Sequence, residues 1–297
     1  WPRTHRFPMW KFADLFSVLQ QLPLASTANW HTPSLPPHEW FEAAHDPEYY
    51  RAFIEGRLGA EQERRIGFRE ETRRPELIER TRLECAGTVL TAQLALRHGL
   101  ACNLAGGTHH AHRDFGSGFT ILNDLAVAAM HVRTHEQVRR VAVVDLDVHQ
   151  GDGTAAIFAT EPDVFTLSLH CGKNFPFRKQ PSDFDISLGV GVSDSEYLGE
   201  LRAGLAKVFE FGPELVLYDA GVDVHADDDL GYLLLSHAGI FQRDRAVIEA
   251  CVRAHVPIAC VIGGGYHRDA LVLARRHALL HRAASSVWTR FGLGDAS

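Results

Sequence analysis

Apolar runs and helical repeats alternate along this chain of 297 residues. Four short runs are rich in β-branched residues and lack regular polar alternation, at 141–144, 164–169, 215–218 and 256–262. Continuous apolar character is typical of strands that are buried on both faces, as in a parallel sheet. The pattern therefore predicts parallel strands connected by helices.

Apolar repeats predict two helices around these runs. The first begins near Glu79 and ends at His98-Gly99, and three leucines share one of its faces, Leu83, Leu90 and Leu94. Ser193 and Glu196 form a capping box for the second helix, which ends at Gly212-Pro213. Its apolar positions recur at helical spacings, Leu198, Leu201, Leu205 and Val208.

Residues 1–75 have only weak periodicity and are rich in proline, arginine and aromatic residues, which predicts short helices and loops around a core. No internal repeat or low-complexity linker divides the chain. We interpret residues 1–297 as one α/β domain, with a central, mostly parallel sheet and helices on both faces. A polar or glycine-rich segment follows each apolar run, at 145–149, 168–170, 219–230 and 263–266. Open parallel sheets bind ligands at the carboxyl ends of their strands, so we expect one site there.

Composition narrows the possible functions. The net charge of −7 argues against a nucleic-acid surface, and no apolar run is long enough to span a membrane. Five scattered cysteines without a C-x-x-C pair make a zinc–thiolate site or a disulfide framework improbable, and they favour a reducing, cytoplasmic location. The 18 histidines suggest metal or proton chemistry. Composition does not predict the oligomeric state.

Asp145, Asp147 and His149 occupy alternate positions where an apolar run ends, followed by Asp152. In extended geometry the first three side chains project to the same side, which is costly unless a cation or hydrogen bonds compensate. Aspartate and histidine together offer ligands for zinc or another first-row metal. The alternative interpretation is a turn whose polar side chains only cap a helix.

Three further segments carry candidate chemistry. Two glycines precede His109 and His110, which indicates a tight loop that presents imidazoles to a cavity, or a surface loop. Asp223 lies in an acidic segment that offers a metal carboxylate, or a solvated loop. Tyr266 follows three glycines that would let a substrate approach closely, or it is a core tyrosine beside a turn.

Together these segments resemble the zinc-dependent histone deacetylase family of the arginase/deacetylase superfamily, over most of the chain. The resemblance rests on GGTHHAH (106–112), GSGFTILND (116–124), DLDVHQGDGT (145–154), SLH (168–170), AGVDVHADDDLG (220–231) and GGGY (263–266). PMWK (8–11), HDPEYY (45–50), ERTRLECAGTVLTA (79–92) and Gln150 are similar to the class IV and bacterial branch.

The resemblance implies an arginase/deacetylase-like fold and assigns roles to residues. It makes Asp147, His149 and Asp223 the ligands of one zinc ion. His110 would be the general base that later protonates the leaving amine, and His109 its electrostatic partner. Asp145 and Asp152 would orient these two rings, and Tyr266 would hydrogen-bond the substrate carbonyl.

The resemblance also implies substrate and cation contacts. Phe119 and Phe175 would form the aromatic walls of an acyl-lysine tunnel, and Leu230 and Gly264 would also contact substrate. A structural potassium ion would contact five residues, Asp145, Asp147, His149, Ser168 and Leu169. Phe158 is a weaker candidate for a second cation site.

The implied function is removal of acetyl or longer acyl groups from lysine side chains of a protein or peptide by metal-activated water. Deacetylation of acetylpolyamines or other small amines is the main alternative. Polyamine-selective relatives commonly have a glutamate where Leu230 stands, although Asp227, Asp228 and Asp229 could attract any polycation. An arginase-type dimanganese enzyme would need carboxylates where Gly151 and Gly153 stand. A non-enzymatic acyl-lysine reader or acetoin-operon accessory protein is the third alternative.

The remaining histidines receive simpler interpretations. We expect His112, His170 and His225 to line the site or to hydrogen-bond its loops. Six others are expected to face solvent or to cap helices, His98, His131, His135, His255, His277 and His281. The run Arg275-Arg276-His277 is expected to be a solvated helix face.

Overall fold

The computed structural model describes Trp1, residues 5–24 and residues 30–293, so the last four residues of the expected 1–297 domain lie outside the described part. Its centre is a sheet in which every neighbouring pair of strands is parallel, in the order β1-β6-β5-β2-β3-β4. The strands are β1 (Leu100–Cys102), β2 (Val141–Asp145), β3 (Val164–Cys171), β4 (Phe184–Leu188), β5 (Leu215–Asp219) and β6 (Ile258–Val261). The expected α/β fold with a parallel sheet is confirmed.

Helices surround the sheet. They are α1 (Lys11–Gln20), α2 (Glu39–Ala44), α3 (Pro47–Ile54), α4 (Ala60–Ile66), α5 (Pro75–His98), α6 (Asp124–His135), α7 (Asp152–Phe158), α8 (Asp194–Phe211), α9 (His237–Arg253) and α10 (Ala270–Phe291). A 3₁₀ helix at Arg69–Arg73 lies between α4 and α5. The short helices expected in residues 1–75 are therefore present. Among the described residues, no helix is both long and apolar enough to cross a membrane.

The central strands are buried on both faces. Ala142 and Val144 of β2 belong to one apolar cluster, which α8, α9 and α10 cover. Val141 and Val143 belong to a second cluster, which α5 and α6 cover. This double burial explains why the runs show no polar alternation, because neither face of the strand meets water.

All four predicted strands are confirmed, with ends shifted by up to two residues. The sequence interpretation missed β1 and β4, the two edge strands. β1 has only three residues, and β4 alternates exposed and partly buried positions because only one of its faces is covered. Neither pattern resembles the continuous apolar runs of the centre.

Both predicted helices are also present. The capping box of Ser193 and Glu196 begins α8, and Gly212 ends it with φ of +70°. α5 begins at Pro75, earlier than expected, because proline is favoured at a first helical position. Its predicted leucines are only partly buried, and the face turned to the core carries smaller side chains, among them Cys85, Val89 and Ala92.

Part of the histidine interpretation is wrong. His98, His135 and His255 are exposed as expected, but three others are buried, His131, His277 and His281. The run at 275–277 is not a solvated face either, because the side chains of Arg276 and His277 are buried. The residues of α10 are buried because this helix packs against both α1 and α9, and His131 of α6 is buried because the Trp40 ring of α2 lies 4.1 Å from its ring.

Candidate active site

The carboxyl ends of the central strands meet at one edge of the sheet, and the predicted site lies there. Asp145 ends β2, Asp219 ends β5, and the two residues stand opposite each other in register. The loop after β2 carries Asp147 and His149, and the segment after β6 carries Tyr266. Parallel pairing therefore gathers residues that are far apart in sequence.

Asp147, His149 and Asp223 form a buried group that could hold a metal ion. Their potential ligand atoms lie within 4.8 Å of one another. His149 Nδ1 is 3.0 Å from Asp147 Oδ1 and 3.1 Å from Asp223 Oδ2. Two carboxylates and one imidazole are a donor set that zinc accepts. A side chain could not replace Gly264, because a Cβ there would lie 2.2 Å from Asp223 Oδ2.

His109 pairs with Asp145. Its Nδ1 donates to Asp145 Oδ2 over 2.7 Å, and its Nε2 lies 3.9 Å from Asp147 Oδ1. Burial disfavours the imidazolium, but the charges of Asp145 and Asp147 outweigh burial and raise the pKa of His109 well above its ordinary value. Without a metal charge nearby, this ring is therefore protonated at neutral pH.

His110 pairs with Asp152 in a different environment. Its Nδ1 donates to Asp152 Oδ1 over 2.6 Å, while His112 Nε2 donates to the other oxygen of the same carboxylate over 3.0 Å. Burial, reinforced by the neighbouring His109 and His149, lowers the pKa of His110 to about 4. His110 is therefore a neutral base at pH 7.

Asp124 fixes the loop that presents the two histidines. Its carboxylate accepts hydrogen bonds from the backbone N–H of Gly107 at 3.1 Å and of Thr108 at 2.7 Å. It also accepts from the hydroxyls of Thr88 and Thr108, each at 2.6 Å. Gly107 has φ of +89°, a conformation that favours glycine. Asp124 lies in the family-like segment 116–124, but the sequence interpretation gave it no role.

Tyr266 is held at the site by its backbone. Its N–H donates to Asp228 Oδ2 over 2.8 Å, and Asp228 Oδ1 accepts from the backbone of Leu230 and Gly231. The Tyr266 ring lies 6.4 Å from the His149 ring. Burial, together with nearby carboxylates, raises the pKa of Tyr266 well above its ordinary value, so the phenol stays a hydrogen-bond donor.

A cavity connects these side chains. Its walls include His109, His110, Asp147, His149, Phe119, Gly264 and Tyr266, together with Lys11, Arg80 and Glu84. Phe175 and Leu230 are not among its lining residues. The Phe175 ring lies 4.9 Å from the His110 ring, and the Leu230 carbonyl accepts from Asn174. Lys11 Nζ donates to the Gly263 carbonyl over 2.9 Å, and burial lowers the pKa of Lys11 to about 8.

Three of the five residues predicted to contact potassium, Asp145, Asp147 and His149, belong to the site described above, and the other two lie in β3. Ser168 of β3 is opposite Asp145 in register, and its hydroxyl is 3.0 Å from His170 Nδ1. Leu169 follows in the same buried strand. Phe158 ends α7 and packs in an apolar cluster. Neither the potassium site nor the second cation site is tested by this arrangement, and both stay predictions.

The other histidines expected near the site have local partners. His112 shares Asp152, as described, and His170 contacts Ser168. His225 Nδ1 accepts from the backbone N–H of Asp227 over 2.9 Å. Only His225 therefore hydrogen-bonds a loop of the site, as expected, whereas the partners of His112 and His170 lie in α7 and β3.

The sequence interpretation missed Asp219. Its side chain is fully buried, 3.8 Å from His109 Nδ1, and neither carboxylate oxygen has a hydrogen-bond partner among the described residues. Burial and the neighbouring Asp145 raise its pKa well above the ordinary value, which favours the neutral form of the carboxyl when no metal charge is nearby. A signal was available, because Asp219 ends an apolar run just as Asp145 does.

Arg243 was missed as well. Its fully buried guanidinium donates to the backbone carbonyls of Leu146, Ala220 and Gly221, which lie in the two loops that carry Asp147 and Asp223. Asp244 pairs with it at 2.8 Å. The guanidinium thus ties the two metal-ligand loops together. No sequence signal marked it, because it lies inside the regular helix α9.

Known proteins share this fold and sequence. A model of the histone deacetylase domain matches residues 5–281. An uncharacterised protein of Picosynechococcus sp. is 47% identical over 288 residues, which cover 97% of this chain and 95% of that protein. A solved structure of an HDAC homologue from Aquifex aeolicus superposes with a TM-score of 0.80 at 25% identity, covering 96% of this chain and 80% of the other.

Two named enzymes are similar over shorter regions. Histone deacetylase 2 of Arabidopsis thaliana is 32% identical over 192 residues, 63% of this chain and 50% of the plant protein. The polyamine deacetylase HDAC10 of Homo sapiens is 32% identical over 206 residues, 64% of this chain and 30% of the human protein. The chain thus spans half or less of these relatives. Because the family model covers most of the chain, this protein belongs to the histone deacetylase family, as its motifs indicated, and is a deacetylase-family hydrolase.

Proposed function

We propose that this protein is a zinc-dependent deacylase that removes acetyl or longer acyl groups from lysine side chains. The observation that carries the proposal is the pairing of two buried histidines with separate aspartates, beside the Asp147, His149 and Asp223 group. Amide hydrolysis needs a base, an acid and a site that stabilises negative charge on oxygen. The cavity presents groups for each of these tasks.

Asp147, His149 and Asp223 would hold the zinc ion. When bound, zinc would supply Lewis acidity toward the amide carbonyl and would lower the pKa of water. Two backbone N–H groups orient the carboxylates, Gly264 toward Asp147 at 2.8 Å and Val148 toward Asp223 at 2.9 Å. The carbonyl contacts of Arg243 hold the same loops from behind.

His110 would act as the general base. Its lowered pKa keeps the ring able to accept a proton at neutral pH, and its hydrogen bond to Asp152 fixes the proton on Nδ1. The free Nε2 would take a proton from the water that attacks the amide carbon. The same nitrogen would return that proton to the lysine nitrogen as the C–N bond breaks.

His109 and Tyr266 would stabilise charge. The His109 ring would lie beside the region where negative charge develops, and its hydrogen bond to Asp145 holds its orientation. The Tyr266 phenol would donate to the amide oxygen as that oxygen becomes negative. Phe119, whose ring lies 6.1 Å from the Tyr266 ring, would form an apolar wall along the lysine stem.

The surroundings of three consecutive aspartates, Asp227, Asp228 and Asp229, support lysine rather than a polyamine as the substrate. Asp228 accepts three backbone hydrogen bonds, and Asp227 lies 3.1 Å from His267 and 3.4 Å from Arg276. Two of the three carboxylates are therefore already engaged. Leu230 offers no charge to a second ammonium group.

The proposal also includes a structural potassium ion at Asp145, Asp147, His149, Ser168 and Leu169, and a protein substrate in the cytoplasm. Carboxylate, hydroxyl and backbone oxygens, which these residues can offer, are ligands suited to a hard cation. Titrating the metal-loaded enzyme with potassium or lithium chloride tests this part. Higher thermal stability in potassium is expected.

Turnover of three substrate classes tests the function. The purified zinc enzyme is given acetyl-lysine peptides, longer acyl-lysine peptides and acetylpolyamines, at low salt and at about 0.15 M salt. Acyl-lysine peptides are expected to have the higher kcat/KM at the higher salt. Any long-range attraction of polycations to the acidic segment should fade there, because salt screens it.

Deacetylation of small amines is the second candidate. The similarity to the polyamine deacetylase HDAC10 favours it. If acetylpolyamines are the better substrates at about 0.15 M salt, this function replaces lysine deacylation. Absence of turnover in every class would instead favour a binding protein.

A further inference from the structure

A second group of buried ligand residues lies beside the one proposed to hold zinc. His109, Asp145 and Asp219 each place one potential ligand atom within 4.8 Å of the other two. His109 Nδ1 is 2.7 Å from Asp145 Oδ2 and 3.8 Å from Asp219 Oδ2. We call these three residues the second group. Its two carboxylates and one imidazole are the same donor set as in the proposed zinc site.

Asp219 has no partner that would stabilise its carboxylate. The side chain is fully buried, and neither oxygen has a hydrogen-bond partner within the described part of the chain. Two glycines close over it instead, because a Cβ on Gly263 would lie 2.1 Å from Oδ1 and a Cβ on Gly107 would lie 2.8 Å from Oδ2. A buried carboxylate without a partner is costly, and a bound cation would remove that cost.

The distances within the second group suit a metal ion. A tetrahedral zinc ion with ligand bonds of about 2.1 Å separates its ligand atoms by about 3.4 Å. The two distances from His109 Nδ1 lie on either side of that value, so shifts of less than about 1 Å would bring the three ligand atoms around an ion. The ion would replace the proton that His109 donates to Asp145, and that proton would pass to solvent.

The second group is distinct from the proposed zinc site, although one ring connects the two. Nδ1 of His109 faces Asp219, whereas Nε2 lies 3.9 Å from Asp147 Oδ1. The oxygens of Asp145 are divided in the same way, because Oδ1 accepts from the Asp147 N–H over 3.1 Å and Oδ2 belongs to the second group. The His109 ring therefore lies between the two metal positions.

The second group is less well oriented than the zinc site. Backbone N–H groups hold the carboxylates of Asp147 and Asp223, whereas no such donor holds Asp219 within the described residues. Ligands that are themselves held by hydrogen bonds bind metals more tightly. An ion in the second group should therefore bind more weakly and exchange as the concentration of free metal changes.

We propose that His109, Asp145 and Asp219 form a second, weaker site for a first-row divalent metal ion such as zinc, which lowers turnover when it is filled. The physical reason is that an ion on Nδ1 removes the hydrogen bond through which Asp145 orients His109. The enzyme would thereby respond to the concentration of free metal. Binding of the ion can be measured without a substrate, so the site does not depend on the proposed deacylase function.

Metal binding tests the site directly. The purified enzyme is dialysed against increasing zinc at one fixed potassium concentration, and zinc per chain is measured. The wild type should bind one ion tightly and a second at roughly 10- to 100-fold higher free zinc. Asp219→Asn should stop at one ion. Asp229→Asn is the matched control, because the same change at an exposed carboxylate should keep both ions.

Two further variants assign the ligands. Asp145→Asn should also stop at one ion, because it removes a different ligand of the same site. Asp147→Ala should lose the tight ion and keep the weak one, since Asp147 belongs to the proposed zinc site. Thermal unfolding without added zinc checks that each variant is folded. If Asp219→Asn does not fold, Asp145→Asn provides the test.

Turnover measures the consequence of filling the site. The kcat values at high and low zinc are compared within each protein, with an acetyl-lysine peptide or an acetylpolyamine, whichever is turned over. The wild type and Asp229→Asn should lose about tenfold as the second ion binds, because His109 loses its orienting partner. The loss in Asp219→Asn should be less than about twofold.

Several results would overturn the proposal. A wild type that never binds more than one ion would do so, and would show that Asp219 holds only a proton. Equal uptake of a second ion by the wild type and both amide variants would place that ion elsewhere. Uptake of the second ion without any change in turnover would reject the effect on His109. Two bound ions without turnover of any substrate would instead reject the deacylase function and support the second site.

Discussion

Two adjacent histidines of the site, His109 and His110, have the same kind of partner in different surroundings. Each donates from Nδ1 to an aspartate, at 2.7 and 2.6 Å, and their ring centroids are 4.1 Å apart. Yet the pKa of His109 is raised well above its ordinary value, whereas the pKa of His110 is lowered to about 4. The hydrogen bond alone therefore does not set the protonation state.

The difference arises from what surrounds each pair. Asp147 adds a second negative charge beside His109. Asp152, by contrast, divides its two oxygens between His110 and His112, and His110 also lies near the His109 and His149 rings. A metal ion would oppose the protonation of both rings, since its charge is positive. The comparison teaches that carboxylate number, rather than burial, distinguishes two equally buried rings.

Removal of a metal ligand should have the largest effect, because the roles of His109 and His110 can be compared only in an active enzyme. Asp147→Ala, His149→Ala and Asp223→Ala are each expected to lose zinc and activity together, because two protein ligands hold zinc poorly. Metal analysis of the purified variants checks this, with the exposed Asp229→Ala as the control that keeps about one zinc per chain. Full zinc content in all three variants would remove these residues from the metal site.

Replacing the two histidines separately tests their division of roles. His110→Ala should lower kcat by about 10³-fold, and His109→Ala by about 10²-fold, because loss of a general base costs more than loss of a nearby charge. Single-turnover rates with equal zinc content make the measurement. A larger loss for His109→Ala would reverse the assignment.

The substitution Tyr266→Phe tests whether the phenol hydroxyl stabilises the transition state. We expect zinc and fold to be kept and kcat to fall by about 10²-fold, since the lost donor acts mainly on the developing oxyanion. Steady-state kinetics separate kcat from KM. An unchanged kcat with a raised KM would mean that Tyr266 only positions the substrate.

The carboxylates around His109 can be ranked by replacing each with its amide. Asp145→Asn should lower kcat by about tenfold, because it removes the charge that orients and protonates His109. Asp219→Asn should change kcat by less than about threefold, because an amide resembles the neutral carboxyl that burial favours at this position. A larger effect at Asp219 than at Asp145 would identify Asp219 as the charged partner.

The smallest expected effect is on the free energy of unfolding, and it concerns His281, which is not part of the metal site. Burial lowers the pKa of His281 to about 4, as it does for His110. Between about pH 6.5 and pH 4 the unfolded chain takes up a proton that the folded chain does not, so stability falls as the pH falls. About 2 kcal/mol should be lost between pH 7 and pH 5 from this group.

Urea unfolding at several pH values measures that slope. His281→Leu should flatten the slope between pH 7 and pH 5, while the exposed His98→Leu should leave it unchanged. Activity at pH 7 should be unaffected in both. An unchanged slope in His281→Leu would show that this ring is not neutral in the folded protein.

The sequence predicted the parts of this protein whose pattern is local. The central strands were visible because burial on both faces requires continuous apolar residues, and α8 because its capping box and Gly212 lie close in sequence. The family-like segments named the residues that the fold brings together at the carboxyl edge. Parallel pairing made that meeting predictable, because strands of one direction end at one edge.

Only the tertiary structure decided what depends on distant neighbours. Arg276, His277 and His281 read as solvated positions, but α1 and α9 cover α10. Asp219 became part of the site because β5 lies beside β2, and Arg243 because α9 places it behind two loops. The opposite pKa shifts of His109 and His110 also depend on the tertiary structure, because they arise from charges that folding brings close. Residue types and spacing determine which groups are present, whereas burial and electrostatic surroundings, which determine what those groups do, exist only once the chain has folded.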